Sequence, residues 1–141
     1  MDIKVKYFDN ACKFEKIYNG DWIDLRSRIE IEGHAGQYYE IPLGVAMELP
    51  EGHEAHVIPR SSSFKRYGFI QTNSMGLIDN TYCGDTDEWK LPVLFMRHTV
   101  IHKGDRVCQF RIVENMKSVN FQIVTKLYGK NREGLGSTGK A

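Results

Sequence analysis

Between Pro59 and Asp85 the chain reads PRSSSFKRYGFIQTNSMGLIDNTYCGD, a stretch that sets Arg60 before the serine run 61–63 and gathers Asn73, Asp79, Tyr82 and Asp85 among glycine turns. This inventory suits a polar ligand. Arg60, Ser61 and Ser62, placed at the start of a short predicted helix, offer a guanidinium, hydroxyls and amides to an anion such as phosphate; as plain helix caps the serines would need no ligand. Asp79 follows the apolar pair Leu77-Ile78 near a strand end, where a carboxylate is either paired or poised for proton transfer. The second concentration of such chemistry is NREGLGSTG at 131–139. A glycine-rich backbone there can wrap its N–H groups around an anion, with Arg132, Ser137 and Thr138 as further donors. The first stretch reads as the floor of a site and the second as its cover.

Other motifs carry less. Gly134, Gly136 and Gly139 fit G-x-G-x-x-G, and 134–140 fit the opening of a P-loop, but both motifs aim a following helix at phosphate and no helical stretch follows. The pairs His53/His56 and His98/His102 lack a cysteine or third histidine at ligand spacing, so surface histidine is the default reading. Cys83 lies beside Asp85 without a base at hand and reads as a bystander thiol.

The elements that must position these groups are strands. At 141 residues, with 41% hydrophobic and 26% charged residues, the chain is long enough to fold as one domain without disulfides. A net charge of +1 with no single-sign block argues against a nucleic-acid or membrane-surface binder. Three cysteines without a CxxC pair fit a reducing compartment, and the charged N-terminus MDIKVKYFD lacks the apolar core of a signal peptide, so a soluble, cytoplasmic protein is expected.

Ile3, Val5 and Tyr7 alternate with lysines, as in a half-buried strand, and Ile23 and Leu25 alternate with Asp24 and Arg26. Tyr39–Leu49 reads as a strand with a bulge or edge at Pro42, and His53–Ile58 as its hairpin partner after the Pro50-Glu51-Gly52 turn. A helix of about two turns follows, capped by Ser61 or Ser62 and ended by Gly68 in a left-handed conformation. Phe69–Thr72, Leu77–Asp79, Lys90–Met96, Arg106–Val113 and Val119–Val124 are further strands, with Lys103-Gly104-Asp105 the clearest turn. The sum is an all-β jelly-roll-like sandwich or barrel with one short helix. The core is expected over 1–128, and 129–141 as a flexible C-terminal arm.

These pieces together resemble the trimeric dUTP diphosphatases. DWIDL at 21–25, PRSSSFKRYG at 59–68, NSMGLIDNTYCGD at 73–85, GDRVCQF at 104–110 and REGLGSTG at 132–139 are similar to the family's five motifs, in the family's order. The resemblance implies a homotrimer with sites shared between subunits, closed by the arm. It implies hydrolysis of dUTP to dUMP and pyrophosphate, with Mg²⁺ on the triphosphate. Asp79 would orient and deprotonate the attacking water, with Gln109 near the α-phosphate. Tyr82 would lie against the deoxyribose, and Asn73 with the backbone of Gly76, Leu77 and Ile78 would read the uracil edge. Arg60, Ser61 and Ser62 would hold phosphates, Asp24 would reach the metal through water, and Arg132, Gly136, Ser137 and Thr138 would close on the γ-phosphate. Leu135 stands where the family often has a stacking phenylalanine, which makes Trp89 a candidate for the aromatic surface. A dCTP deaminase-like enzyme, or a non-catalytic nucleotide-sensing or protein-binding module on the same fold, are the alternatives.

Overall fold

The longest strand organises the domain. The structure, a computed structural model, describes residues 1–15 and 20–134. Among them Arg106–Glu114 (β11) pairs antiparallel on both sides, with Ile23–Arg26 (β2) and with His53–Ile58 (β6). Gly76–Asp79 (β8) adds to the far side of β6 and completes a four-stranded sheet in the order β2-β11-β6-β8. Val107, Cys108 and Phe110 of β11 are buried, and Leu25, Ala55 and Val57 beside them share that face.

The facing sheet has three strands: Tyr38–Pro42 (β4), Lys90–Phe95 (β9) and Phe69–Gln71 (β7), with β9 central. Leu91, Val93 and Phe95 point inward from β9 by the period-2 rule. They join Leu25, Val57 and Phe110 in one hydrophobic cluster, each large side chain contributing ~1.5–3 kcal/mol by its burial. Two ribbons complete the architecture, Lys4–Tyr7 (β1) on Val45–Glu48 (β5) and Ile31–Gly33 (β3) on Thr99–Ile101 (β10). Every pairing is antiparallel, as a jelly roll requires.

Several sequence expectations are corrected. Tyr39–Leu49 is two strands in different sheets, because the chain turns a corner at Gly44, whose φ of 68° an L side chain rarely adopts. Pro42 does sit on an edge strand, where its missing N–H costs no ladder bond. His53–Ile58 is no hairpin partner of that stretch; its neighbours are β11 and β8. The helix, Ser63–Tyr67 (α1), is five residues rather than two turns. Ser62 occupies the N-cap without a side-chain capping bond, while Gly68 closes the C-terminus at φ 64° as expected. Val119–Val124 forms no strand: it has the alternation but no partner strand within the described chain, and Phe121 and Ile123 stand 86% and 95% exposed.

Candidate active site

The sheet register sorts the predicted site residues into two groups. Gln109 on β11 lies opposite Asp24 on β2 and Ile58 at the end of β6, so two strands deliver polar residues to the line where β6 ends. The chain leaving β6 is held there, since Gln109 Nε2 donates to the Pro59 carbonyl at 3.1 Å. Arg60 Nε then stands 3.1 Å from Asp24 Oδ1, and Arg106 Nη1 lies 3.7 Å from Asp24 Oδ2. Ser63 is spent on structure: it is buried, accepts from the Arg60 N–H at 2.9 Å and donates to the Val107 carbonyl at 3.2 Å. Arg60 and Ser61 open onto a cleft of about 430 Å³, whose opposite side is Gln71 and Ser74. With α1 so short, the anion-binding capacity of this corner comes from the guanidinium and the loop hydroxyls, not from a helix dipole.

The second group surrounds Asp79 at the other end of β8. The Asp79 carboxylate accepts from the Thr81 hydroxyl and from the Thr81 N–H, the latter at 2.7 Å. Those two donors, the hydroxyl foremost and the Tyr82 N–H behind them, hold its pKa below the ordinary 3.8, so the exposed carboxylate is ionised at neutral pH. Tyr82 hangs from the same turn, its hydroxyl donating to the Glu88 carbonyl at 3.0 Å. Partial burial, then the nearby Asp87 and Glu88 charges, push its phenol pKa up and keep it neutral. Leu77, Ile78, Asp79, Thr81, Tyr82, Glu88, Trp89 and Lys90 line a cleft of about 420 Å³ that shares no lining residue with the first.

Within one chain these groups do not meet. Asp79 pairs with Glu54 and Asp24 aligns with Ile58, so they stand about 13 Å apart along the strands and about 14 Å across them at ordinary strand spacings. Asn73 lies between, at the turn before β8, where its Oδ1 accepts from Gln71 Nε2 at 2.8 Å. Gly76 permits that turn to close on β6: a Cβ there would come within 3.2 Å of Val57 Cβ.

Trp89 is corrected as a stacking surface. The residue borders the Asp79 cleft but is only 1% exposed, and its ring packs edge-on against Phe110 at 5.2 Å between centroids, so it presents no open face for a base to stack on. Arg132 is exposed in the segment after β11. Leu135, Gly136, Ser137 and Thr138 lie outside the described residues. Cys83 is exposed, whereas Cys108 is enclosed and burial pushes its thiol far up, which removes it as a nucleophile. Asp85 faces away to Lys6, at 3.0 Å. Three residues escaped the sequence reading: Thr81, legible as an Asx-type turn two residues after an aspartate; Arg106, inside the GDRVCQF motif; and Gln71, whose role depends on burial.

An antiparallel jelly-roll domain with polar clefts at its strand ends is the class defined by the fold. The dUTPase family profile matches residues 22–139. The chain is 51% identical over 140 residues, 99% of both chains, to the SPbeta prophage-derived deoxyuridine 5'-triphosphate nucleotidohydrolase YosS of Bacillus subtilis (strain 168). Among solved structures, the dUTPase from Streptococcus mutans superposes with a TM-score of 0.75 at 21% identity, covering 85% of this chain and all of that one. The Staphylococcus bacteriophage 80alpha dUTPase with dUPNHPP gives 0.76 at 16% identity, over 99% of each chain. These two establish the fold. The chain belongs to the dUTPase family.

Proposed function

We propose that this protein hydrolyses dUTP to dUMP and pyrophosphate in sites shared between the subunits of a homotrimer. The observation that carries the reading is Asp79, a carboxylate held ionised by Thr81 at the mouth of a cleft with Tyr82 beside it. Asp79 orients a water and takes its proton as the oxygen attacks the α-phosphorus; the bond from that phosphorus to the bridging oxygen breaks, and pyrophosphate leaves. Tyr82 packs on the deoxyribose and excludes a 2′-hydroxyl. Asn73, set by Gln71, and the Gly76–Ile78 backbone meet the uracil edge, a task an amide fits because it offers donor and acceptor together.

The phosphate corner comes from a neighbouring subunit, because Arg60, Ser61, Ser62 and Gln109 stand too far from Asp79 in the same chain to act on one phosphorus. Exposed apolar residues after β11, among them Phe121 and Ile123 at strand spacing, support assembly: alone they cover nothing, and on a neighbour they can add a strand. Arg132, Leu135, Gly136, Ser137 and Thr138 close over the site as the arm of a further subunit, which excludes bulk water.

Mg²⁺ fits the residues present in one way. Asp24 is one carboxylate between two guanidiniums, too few oxygen donors for a protein cage, but suited to a hydrated ion carried chiefly by the triphosphate. Mg²⁺ bound there would neutralise phosphate charge, and Asp24 would accept from its water shell. The test is pyrophosphate release by dialysed protein from dUTP and from UTP, with and without Mg²⁺. Fast Mg²⁺-dependent release from dUTP alone is expected; equal rates on the two nucleotides would contradict the reading.

A further inference from the structure

On the β3–β10 ribbon, none of whose residues is placed in the nucleotide site, three potential metal ligands share one exposed face. The register pairs Thr99 with Gly33 and Ile101 with Ile31, all four turned inward, so the alternate positions Glu32, His34, His98 and Val100 face outward. Continuing that register sets His34 opposite His98, and their rings lie 5.0 Å apart between centroids, tilted by 32°. Glu32, two residues before His34, stands on the diagonal: its Oε1 is 3.1 Å from His98 Nε2 and 3.6 Å from His34 Nε2. The three ligand atoms all lie within 4.8 Å of one another.

We propose that Glu32, His34 and His98 form a surface site for a borderline divalent transition metal such as Zn²⁺, independent of the nucleotide site. Bonds of about 2.0–2.2 Å to imidazole nitrogen and carboxylate oxygen place tetrahedral ligands about 3.4 Å apart, so two of the three separations already match. Two imidazoles with one carboxylate suit Zn²⁺, Ni²⁺ or Cu²⁺ and are a poor match for Mg²⁺, which takes oxygen. Both histidines would bind through Nε2 with the remaining proton on Nδ1, and any proton on Nε2 is released on binding. A fourth position stays open to water.

The backbone beneath is set before any ion arrives. A Cβ on Gly33 would meet the Phe95 ring at 2.6 Å, so glycine there seats the ribbon directly on the core. The turn after β3 is tied by Gln37 N–H to the His34 carbonyl at 3.0 Å, Gly36 N–H to the Phe95 carbonyl at 2.7 Å and His34 N–H to Gln37 Oε1 at 3.1 Å. The metal would then only need side-chain rotation. The bland alternative, a carboxylate that merely accepts hydrogen bonds from two histidines, predicts no metal affinity.

The experiment is calorimetric titration of Zn²⁺ into metal-free full-length protein slightly above neutral pH, with the single variants His34→Gln, His98→Gln, Glu32→Gln and His102→Gln. His102 sits on the same face beside Glu30, 3.1 Å away, and serves as the control. The parent should bind one Zn²⁺ per chain in a component that His34→Gln and His98→Gln each weaken at least ten-fold and Glu32→Gln several-fold, with His102→Gln unchanged. All these side chains are exposed, so the metal-free melting temperatures should coincide; Zn²⁺ should raise that of the parent and not that of His34→Gln. Parent-like binding in both His34→Gln and His98→Gln, or no Zn²⁺ binding by the parent, overturns the site.

Discussion

Gln71 holds Asn73. Its buried Nε2 donates at 2.8 Å to Asn73 Oδ1 and at 3.0 Å to the Val57 carbonyl, which fixes the orientation of the asparagine amide. Gln71→Leu keeps the bulk and removes both bonds. It should raise KM for dUTP several-fold with a smaller change in kcat, and cost ~1–3 kcal/mol of stability by stranding the Val57 carbonyl. Steady-state kinetics beside a denaturant melt separates the two effects; an unchanged KM would remove Gln71 from the recognition of the base.

The Thr81 hydroxyl sets the protonation range of Asp79. A folded-state pKa below the ordinary 3.8 means that the carboxylate stays ionised as pH falls, and is lost only as pH drops through that depressed value; if it is the proposed base, activity should follow it. Thr81→Val deletes the first of the donors and leaves the backbone N–H. The carboxyl then returns toward its ordinary range, and the acid-side fall of kcat/KM should move to higher pH than in the parent. A pH–rate profile with an unmoved acid side would show that Thr81 does not tune the base.

Trp89→Ala should act on stability, not on recognition. A fully enclosed indole against Phe110 leaves a large cavity when truncated, which costs ~3–5 kcal/mol. Thermal unfolding should show the loss, and Trp89→Phe should recover much of it. A stable Trp89→Ala protein with a raised KM would return the indole to the substrate.

The apolar residues after β11 predict assembly. Light scattering should report about three times 16.3 kDa. Phe121→Asp together with Ile123→Asp should lower that mass and the activity with it, since both side chains are exposed within one chain. A trimer indifferent to both substitutions would assign the interface elsewhere.

What could be read from the sequence follows from which signals are local. Alternation located β1 and β2, and turn residues bounded β9 and β11; β11 itself breaks the period, with Val107 and Cys108 both buried where the register shifts. Gly68 was legible as a helix stop because its positive φ is a property of one residue. β3 and β10 were missed because three residues are too few for a period, and Glu32-Gly33 resembles a turn until Phe95 fills the space above the glycine. Partners of strands are non-local: nothing in His53–Ile58 says that β11 and β8, rather than the preceding stretch, will flank it. In the site, the motifs named Asp79, Arg60 and Gln109, while Gln71 and the enclosure of Trp89 depended on burial.

The separation of Asp79 from the Asp24–Arg60 pair within one chain makes the shared site the central claim. Asp79→Asn, which removes the proposed base, and Arg60→Ala, which removes the proposed phosphate clamp, should each be nearly inactive alone. Unfolded together in equal amounts and refolded, they should regain about a quarter of parental turnover: about three quarters of random trimers are mixed, and each mixed cyclic trimer has one junction with both native residues. Recovery near that level is the predicted result; a mixed trimer, verified by mass, that stays as inactive as its parents would contradict the account.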